Sequence, residues 1–173
     1  MRRTPLIRPR RSSGTEPIGA AMNPVIACGI DIIEIARVRR VFARFGPRFL
    51  ARVYGERERA GAAARRDPVP YLAGRFAAKE AVLKVLGCGL FAGVPLASIE
   101  IRAGDSGEPL CELHGSAARR AAALGVARVL VSISHCGSHA VAQAIGIAEQ
   151  PARAAARRSA GQTRRPTPPR EAR

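Results

Sequence analysis

The stretch YLAGRFAAKEAVLKVLG, residues 71–87, constrains what this chain can become more than any other segment. Its alanines and leucines predict a helix of about four turns closed by Gly87, apolar on nearly every side. A helix of that kind belongs inside a folded unit. Lys79, Glu80 and Lys84 nevertheless sit in its middle, and buried charges cost free energy unless they are paired or bind something. They are therefore either salt-bridged filler or part of a site. Glu80 and Lys84 lie four residues apart and share a helical face. Taken alone they make an ordinary ion pair, but the surrounding Phe76, Ala77, Ala81, Val82, Leu83, Val85 and Leu86 leave no obvious solvent face.

Strands and helices alternate around this segment. VIACGIDII, residues 25–33, is β-branched and short, and reads as a buried strand into which Asp31 intrudes. From Glu34 the period turns helical, with Ile35, Val38, Phe42 and Phe45 on one face and Arg37, Arg40 and Arg44 on another, until Gly46-Pro47 breaks it. Residues 48–66 supply one or two short helices, and DPVP marks a loop. SIEIR, PLCEL, RVLVSIS and AVAQAIGIA read as strands, with a short helix over 115–124 and HCGSH as a hairpin loop.

Asp31 and Glu80 are the two acids that break apolar context. Two carboxylates brought together in a dry site must bind a cation or share a proton. SISH, residues 132–135, invites a hydrolase reading, but there is no GxSxG elbow, and Ser132 and Ser134 fit better as partners of backbone or ligand groups. Neither a Walker A pattern nor GxGxxG is present, so a Gly-rich phosphate loop is unsupported.

Charge is unevenly spread. Of the net +16, residues 1–22 contribute +4 and residues 150–173 contribute +6, while residues 37–66 alone hold ten Arg against two Glu. Basicity is therefore a patch and two tails. Both tails, rich in Arg and Pro, read as unfolded extensions (1–22 and 150–173) around one folded domain at 23–149. The first resembles an organellar transit peptide in composition, or marks a start that belongs at Met22. No apolar run is long enough for a membrane span, and Cys28, Cys88, Cys111 and Cys136 are too scattered for zinc or a disulfide framework. The expectation is a cytoplasmic protein with no membrane partner.

Taken together, GIDIIEIARV, YLAGRFAAKEAVLKVLG, IEI, the GEP turn and VSISH…AVAQAI resemble, in order and spacing, the holo-acyl-carrier-protein synthase family of small phosphopantetheinyl transferases, over about residues 25–147. The resemblance implies an α+β fold with an antiparallel sheet packed against helices, a homotrimer, and coenzyme A held between neighbouring subunits. It also implies Mg²⁺-dependent transfer of 4′-phosphopantetheine to a serine of apo acyl carrier protein, in fatty acid biosynthesis, with release of adenosine 3′,5′-bisphosphate. Carried over by position, Asp31 and Glu80 match the magnesium ligands and Lys84 a pyrophosphate contact. Arg75 and Lys79 match basic contacts, and Ser134 and His135 match coenzyme A contacts. A metal-bound water and a carboxylate are both open as the base.

Arg37, Arg40 and Arg44 then form a stripe suited to an acidic carrier protein. Two departures stand out. LAS replaces a Trp before the IEI strand, and His139 replaces an aromatic after the SxSH turn. The competing class is a basic nucleic-acid-binding, ribosome-associated module, supported by a pI near 11.6 and the Arg-rich arms. Nucleic acid is not expected at the core, which lacks aromatic platforms.

Overall fold

A computed structural model describes residues 24–89 and 93–149; the terminal extensions inferred above lie outside them. The elements run β1 (Val25–Glu34), α1 (Ile35–Val53), α2 (Glu56–Ala63), α3 (Val69–Val85), a 3-10 turn (Leu96–Ser98), β2 (Ile99–Ala103), β3 (Pro109–Leu113), α4 (Gly115–Ala123), β4 (Val126–His135) and β5 (His139–Ala148). The strands form one antiparallel sheet in the order β1-β5-β4-β3-β2. Helix α3 packs on one face of it, against β1 and β5. This is the α+β architecture expected from the sequence.

Small residues let α3 come close. Ala77, Ala78 and Ala81 on the helix and Ala140, Ala142 and Ala144 on β5 are almost completely buried. At Gly29 of β1 a Cβ would collide with the Ala81 carbonyl and stand 2.9 Å from Lys84 Cβ. Only a residue without a side chain fits between strand and helix there. Just before α3, the Asp67 carboxylate accepts from the Val69 amide at 3.1 Å and pairs with Arg39 at 2.8 Å. Its end is the closure foreseen at Gly87: φ is 62°, and the Cys88 amide donates to the Leu83 carbonyl at 2.9 Å.

Three expectations change. First, β1 is an edge strand rather than a buried one. Gly29 and Ile33 point into the core, but Ile30 and Ile32 on the opposite face are 61% and 65% exposed. Second, Phe45 leaves the apolar face of α1. The helix kinks at Gly46 (φ 44°, ψ −121°), which leaves Phe45 about half exposed with the Arg44 guanidinium 5.1 Å above its ring. Third, the DPVP loop is shorter than expected, because Val69 and Pro70 already belong to α3, where a proline in the first turn costs no hydrogen bond.

Lys79 gives the clearest account of a charge inside α3. It is fully buried, and its ammonium meets the Glu58 carboxylate at 2.7 Å and donates to the Leu96 carbonyl at 3.1 Å and to the Ile99 carbonyl. Glu58, also fully buried, accepts from the Gly55 amide at 2.8 Å and the Ile101 amide at 3.2 Å. Burial pushes the Glu58 carboxyl up and the Lys79 ammonium down, and their contact opposes both shifts. Every Lys79 donor has a partner, which makes the buried pair tolerable.

Removing one partner strands the other. Lys79→Met should cost about 3–5 kcal/mol of stability, whereas Lys79→Met with Glu58→Gln should recover most of it. Urea denaturation of the three proteins measures this, and equal losses in the single and double variants would contradict it.

Candidate functional site

The close seat of α3 on β1 brings Asp31 beside Glu80 and Lys84. Asp31 lies two residues beyond Gly29 and faces the helix, as Gly29 does. Glu80 and Lys84 project toward it from consecutive turns. The Lys84 ammonium reaches Asp31 Oδ1 at 3.0 Å and the Ile30 carbonyl, so the helix lysine pairs with the strand carboxylate. Its side chain remains half exposed.

Glu80 is the anomalous group. It is only 8% exposed, and its Oε1 is buried with no hydrogen-bond partner. An orphaned buried carboxylate oxygen is expensive. Burial, then the nearby Asp31 charge, pushes the Glu80 carboxyl up to about 7, and Lys84 offsets only part of this. Asp31 and Glu80 share a cleft of about 260 Å³ whose apolar walls include Ile33, Phe49 and Phe76, with Arg37 at its edge. Two carboxylates from facing elements, one of them with an oxygen to spare, fit a hard oxygen-seeking cation such as Mg²⁺.

The other expected residues divide. Arg37 joins the cleft, and Arg40 and Arg44 continue along the exposed side of α1, so the stripe exists. Lys79 is a correction: it points into the core and is committed to Glu58, away from Glu80. Arg75 stands 3.9 Å over the Tyr71 ring, and Arg65 also stands 3.9 Å from it. Arg75 Nε is buried without a partner. Ser134 and His135 are exposed near the end of β4; Ser134 pairs through Val141 with the row of Ile32, on the sheet face opposite α3. One copy of the chain does not unite them with Asp31 and Glu80. His139 lines an adjoining cleft of about 370 Å³ with Glu34, sharing Ile32, Ile33 and Arg37 with the cleft of Asp31 and Glu80.

A larger basic cleft of about 550 Å³, not foreseen from the sequence, is lined by Arg57, Arg65, Tyr71, Arg102 and Glu112. Arg57 and Arg65 come from α2 and the turn just after it and Arg102 from β2, and the sequence signal was the Arg run over 37–66, which does not reach Arg102. Nearby, Glu100, Glu112 and His114 bring ligand atoms within 4.8 Å of one another. Glu112 already binds Arg57 at 2.9 Å and Arg102, and Glu100 accepts from the Arg57 amide at 3.1 Å, so these acids are occupied. Cys111 is pushed up to about 12 by burial, and Cys136 is drawn down to about 7 by the Ser138 hydroxyl.

The raised Glu80 pKa sets a pH dependence. A carboxyl whose folded value exceeds its unfolded one holds its proton more tightly in the folded protein, so stability falls as pH rises from about 4.5 to about 7. In a metal chelator, Glu80→Gln should be more stable than the wild type at pH 8 by on the order of 2 kcal/mol. The two should converge below pH 4.5. Melting curves at both pH values test this, and a variant less stable at pH 8 would contradict it.

The sequence model of the 4′-phosphopantetheinyl transferase superfamily matches residues 27–144. A holo-[acyl-carrier-protein] synthase of Natranaerobius thermophilus is 44% identical over 121 residues, covering 70% of this chain and 96% of its own. The crystal structure of a Neisseria meningitidis holo-[acyl-carrier-protein] synthase superposes with a TM-score of 0.65 at 31% identity, covering 71% of this chain and 98% of that one. The Helicobacter pylori holo-[acyl-carrier-protein] synthase in complex with coenzyme A gives 0.62 at 28% identity, covering 70% and 100%. With the match running from the strand of Asp31 through the helix of Glu80 to the hairpin of Ser134, this chain belongs to the 4′-phosphopantetheinyl transferase superfamily.

Proposed function

We propose that this enzyme transfers the 4′-phosphopantetheine group of coenzyme A to a serine hydroxyl of apo acyl carrier protein, with Asp31 and Glu80 holding Mg²⁺. The observation that carries the reading is the unpartnered Glu80 oxygen facing Asp31 beside Lys84, in a family whose relatives are holo-[acyl-carrier-protein] synthases. In the reaction the serine hydroxyl oxygen bonds to the pantetheine-side phosphorus as its proton passes to a carboxylate or to water. The bond from that phosphorus to the bridging pyrophosphate oxygen breaks, and adenosine 3′,5′-bisphosphate leaves. When bound, Mg²⁺ would polarise that phosphorus and neutralise charge on the departing phosphate.

The chain's own groups supply the rest. Lys84 has three donors and uses two, on Asp31 and the Ile30 carbonyl. The third is free for a pyrophosphate oxygen, whose charge grows on the leaving side. Phe49, Phe76 and Ile33 limit water around the reacting groups. The cleft of Arg57, Arg65 and Arg102, with Arg75 behind Tyr71, suits the anionic nucleotide end of coenzyme A.

The reading includes a homotrimer. The outward sheet face carries Ile30, Ile32 and Leu130, 61%, 65% and 47% exposed, an apolar surface that burial between copies would cover. Ser134 on that face would then lie at a subunit boundary, with His135 beside it at the end of β4. The arginine stripe of α1 would receive the acidic carrier. Four free cysteines suit a reducing cytoplasm, and fatty acid biosynthesis is the process served. No helix among the described residues is long and apolar enough to cross a membrane.

The decisive experiment is mass spectrometry of an apo acyl carrier protein after incubation with enzyme, coenzyme A and Mg²⁺. The phosphopantetheine mass should appear with the full chain and with residues 23–149 alone. Asp31→Ala and Glu80→Gln should abolish it. Lys84→Met should lower kcat by on the order of 10² with little change in coenzyme A binding. Full turnover in Lys84→Met would reduce that residue to a structural partner of Asp31.

Charge reversal at Arg37, Arg40 and Arg44 should raise the KM for carrier protein and leave that for coenzyme A nearly unchanged. Added salt should slow the wild type toward the same level. Equal loss toward both substrates would move the docking surface elsewhere.

A further inference from the structure

We infer that the buried Lys79–Glu58 pair is a positioning device for Glu80, setting how strongly the Asp31–Glu80 cleft takes a divalent cation; this rests on the reading of Glu80 as a ligand. Lys79 and Glu80 are consecutive on α3 and point about 100° apart, one into the core and one into the cleft. The Lys79 ammonium ties α3 to Glu58 of α2 and to the carbonyls of Leu96 and Ile99, where the 3-10 turn enters β2. Glu58 in turn holds the Gly55 amide before α2 and the Ile101 amide of β2. Helices α2 and α3, the 3-10 turn and β2 therefore meet at one point that water does not reach.

On the other side of the helix the forces run against the site. Glu80 faces Asp31 with an unpartnered buried oxygen, and two like charges in a poorly solvated cleft repel. A small rotation of α3 would separate them and wet the Glu80 carboxylate. The contact at Gly29 limits approach of the helix to β1 but not its rotation away. The Lys79 ammonium, fixed by acceptors on α2, the 3-10 turn and β2, opposes that rotation. A carboxylate held in place before the cation arrives binds it more tightly than one that must be brought back, and outer partners of metal ligands alter affinity by about 10–100-fold.

The test uses the full chain and Mn²⁺ as a spectroscopic probe in place of Mg²⁺. The double variant Lys79→Met with Glu58→Gln removes both buried charges, so neither is left alone. It should remain folded by circular dichroism, yet bind Mn²⁺ about 10–100-fold more weakly in the absence of substrates, read from the electron paramagnetic resonance signal of free Mn²⁺. The Mg²⁺ concentration for half-maximal turnover should rise in parallel, and saturating Mg²⁺ should restore most of kcat while the KM for carrier protein stays unchanged. Glu58→Asp is the second variant. It keeps the charges compensated but shortens the arm by one methylene, so α2 and α3 must shift to pair, and it should show the same weakening in milder form. Wild-type Mn²⁺ affinity in whichever of the two folds overturns the inference and leaves the pair a purely stabilising contact. Weakening that saturating Mg²⁺ does not rescue overturns it as well. Glu80→Gln separates the two levels: if that variant binds Mn²⁺ normally, Glu80 is not a ligand and the reading beneath the inference fails.

Discussion

The distance between α3 and the first strand governs most of this molecule. Gly29 lets the Ala81 carbonyl approach where any side chain would collide, and alanines on α3 and β5 extend the same close contact across the sheet. The gain is dispersion and burial over a long helix. The same approach forces Asp31 and Glu80 together in a place that water scarcely enters. The core geometry and the electrostatic tension at the cleft thus have one cause, and a larger residue at Gly29 would relieve the second only by disrupting the first.

Charges on α3 show how much of such a site can be read without coordinates. Asp31 and Glu80 stood out because each interrupts an apolar run, and the structure brings both to one cleft. Helical period and glycine punctuation likewise located α3, α4 and the strands to within a residue or two, since those signals are local, while the break expected at Gly46-Pro47 is a kink that α1 crosses to Val53. Lys84 was harder. Its spacing suggested Glu80 as partner, but Asp31 lies closer across the gap. Lys79 was misjudged as a ligand contact because its true partner, Glu58, lies in a polar segment, GERERA, with no period to mark one side as buried. Whether β1 was central or at the edge depended on which strand paired with which, and a β-branched run reads alike in both settings.

The basic character of the chain also divides once positions are known. Arg39 and Arg57 answer acids of the fold itself, at Asp67 and Glu112. Arg40 and Arg44 face outward with no acid beside them among the described contacts. Net charge alone pointed equally to nucleic acid. The arrangement separates structural arginines from those available to a partner, and the family places coenzyme A and an acidic carrier ahead of a polyanion.

The first and last strands also settle where the chain can be cut or joined. Val25 pairs with Ile147, and the Ala148 amide donates to the Pro24 carbonyl at 3.0 Å, so the described chain enters and leaves at one corner of the sheet. Six residues along β1, about 20 Å at the usual strand rise, separate that corner from Asp31. A short linker from Ala148 to Pro24 would close the chain into a ring, and new ends opened in the turn at Asp105–Gly107 would give a circular permutant with strand order and cleft unchanged. A domain joined directly at Pro24 or Ala148 would likewise begin at the end of β1 away from Asp31.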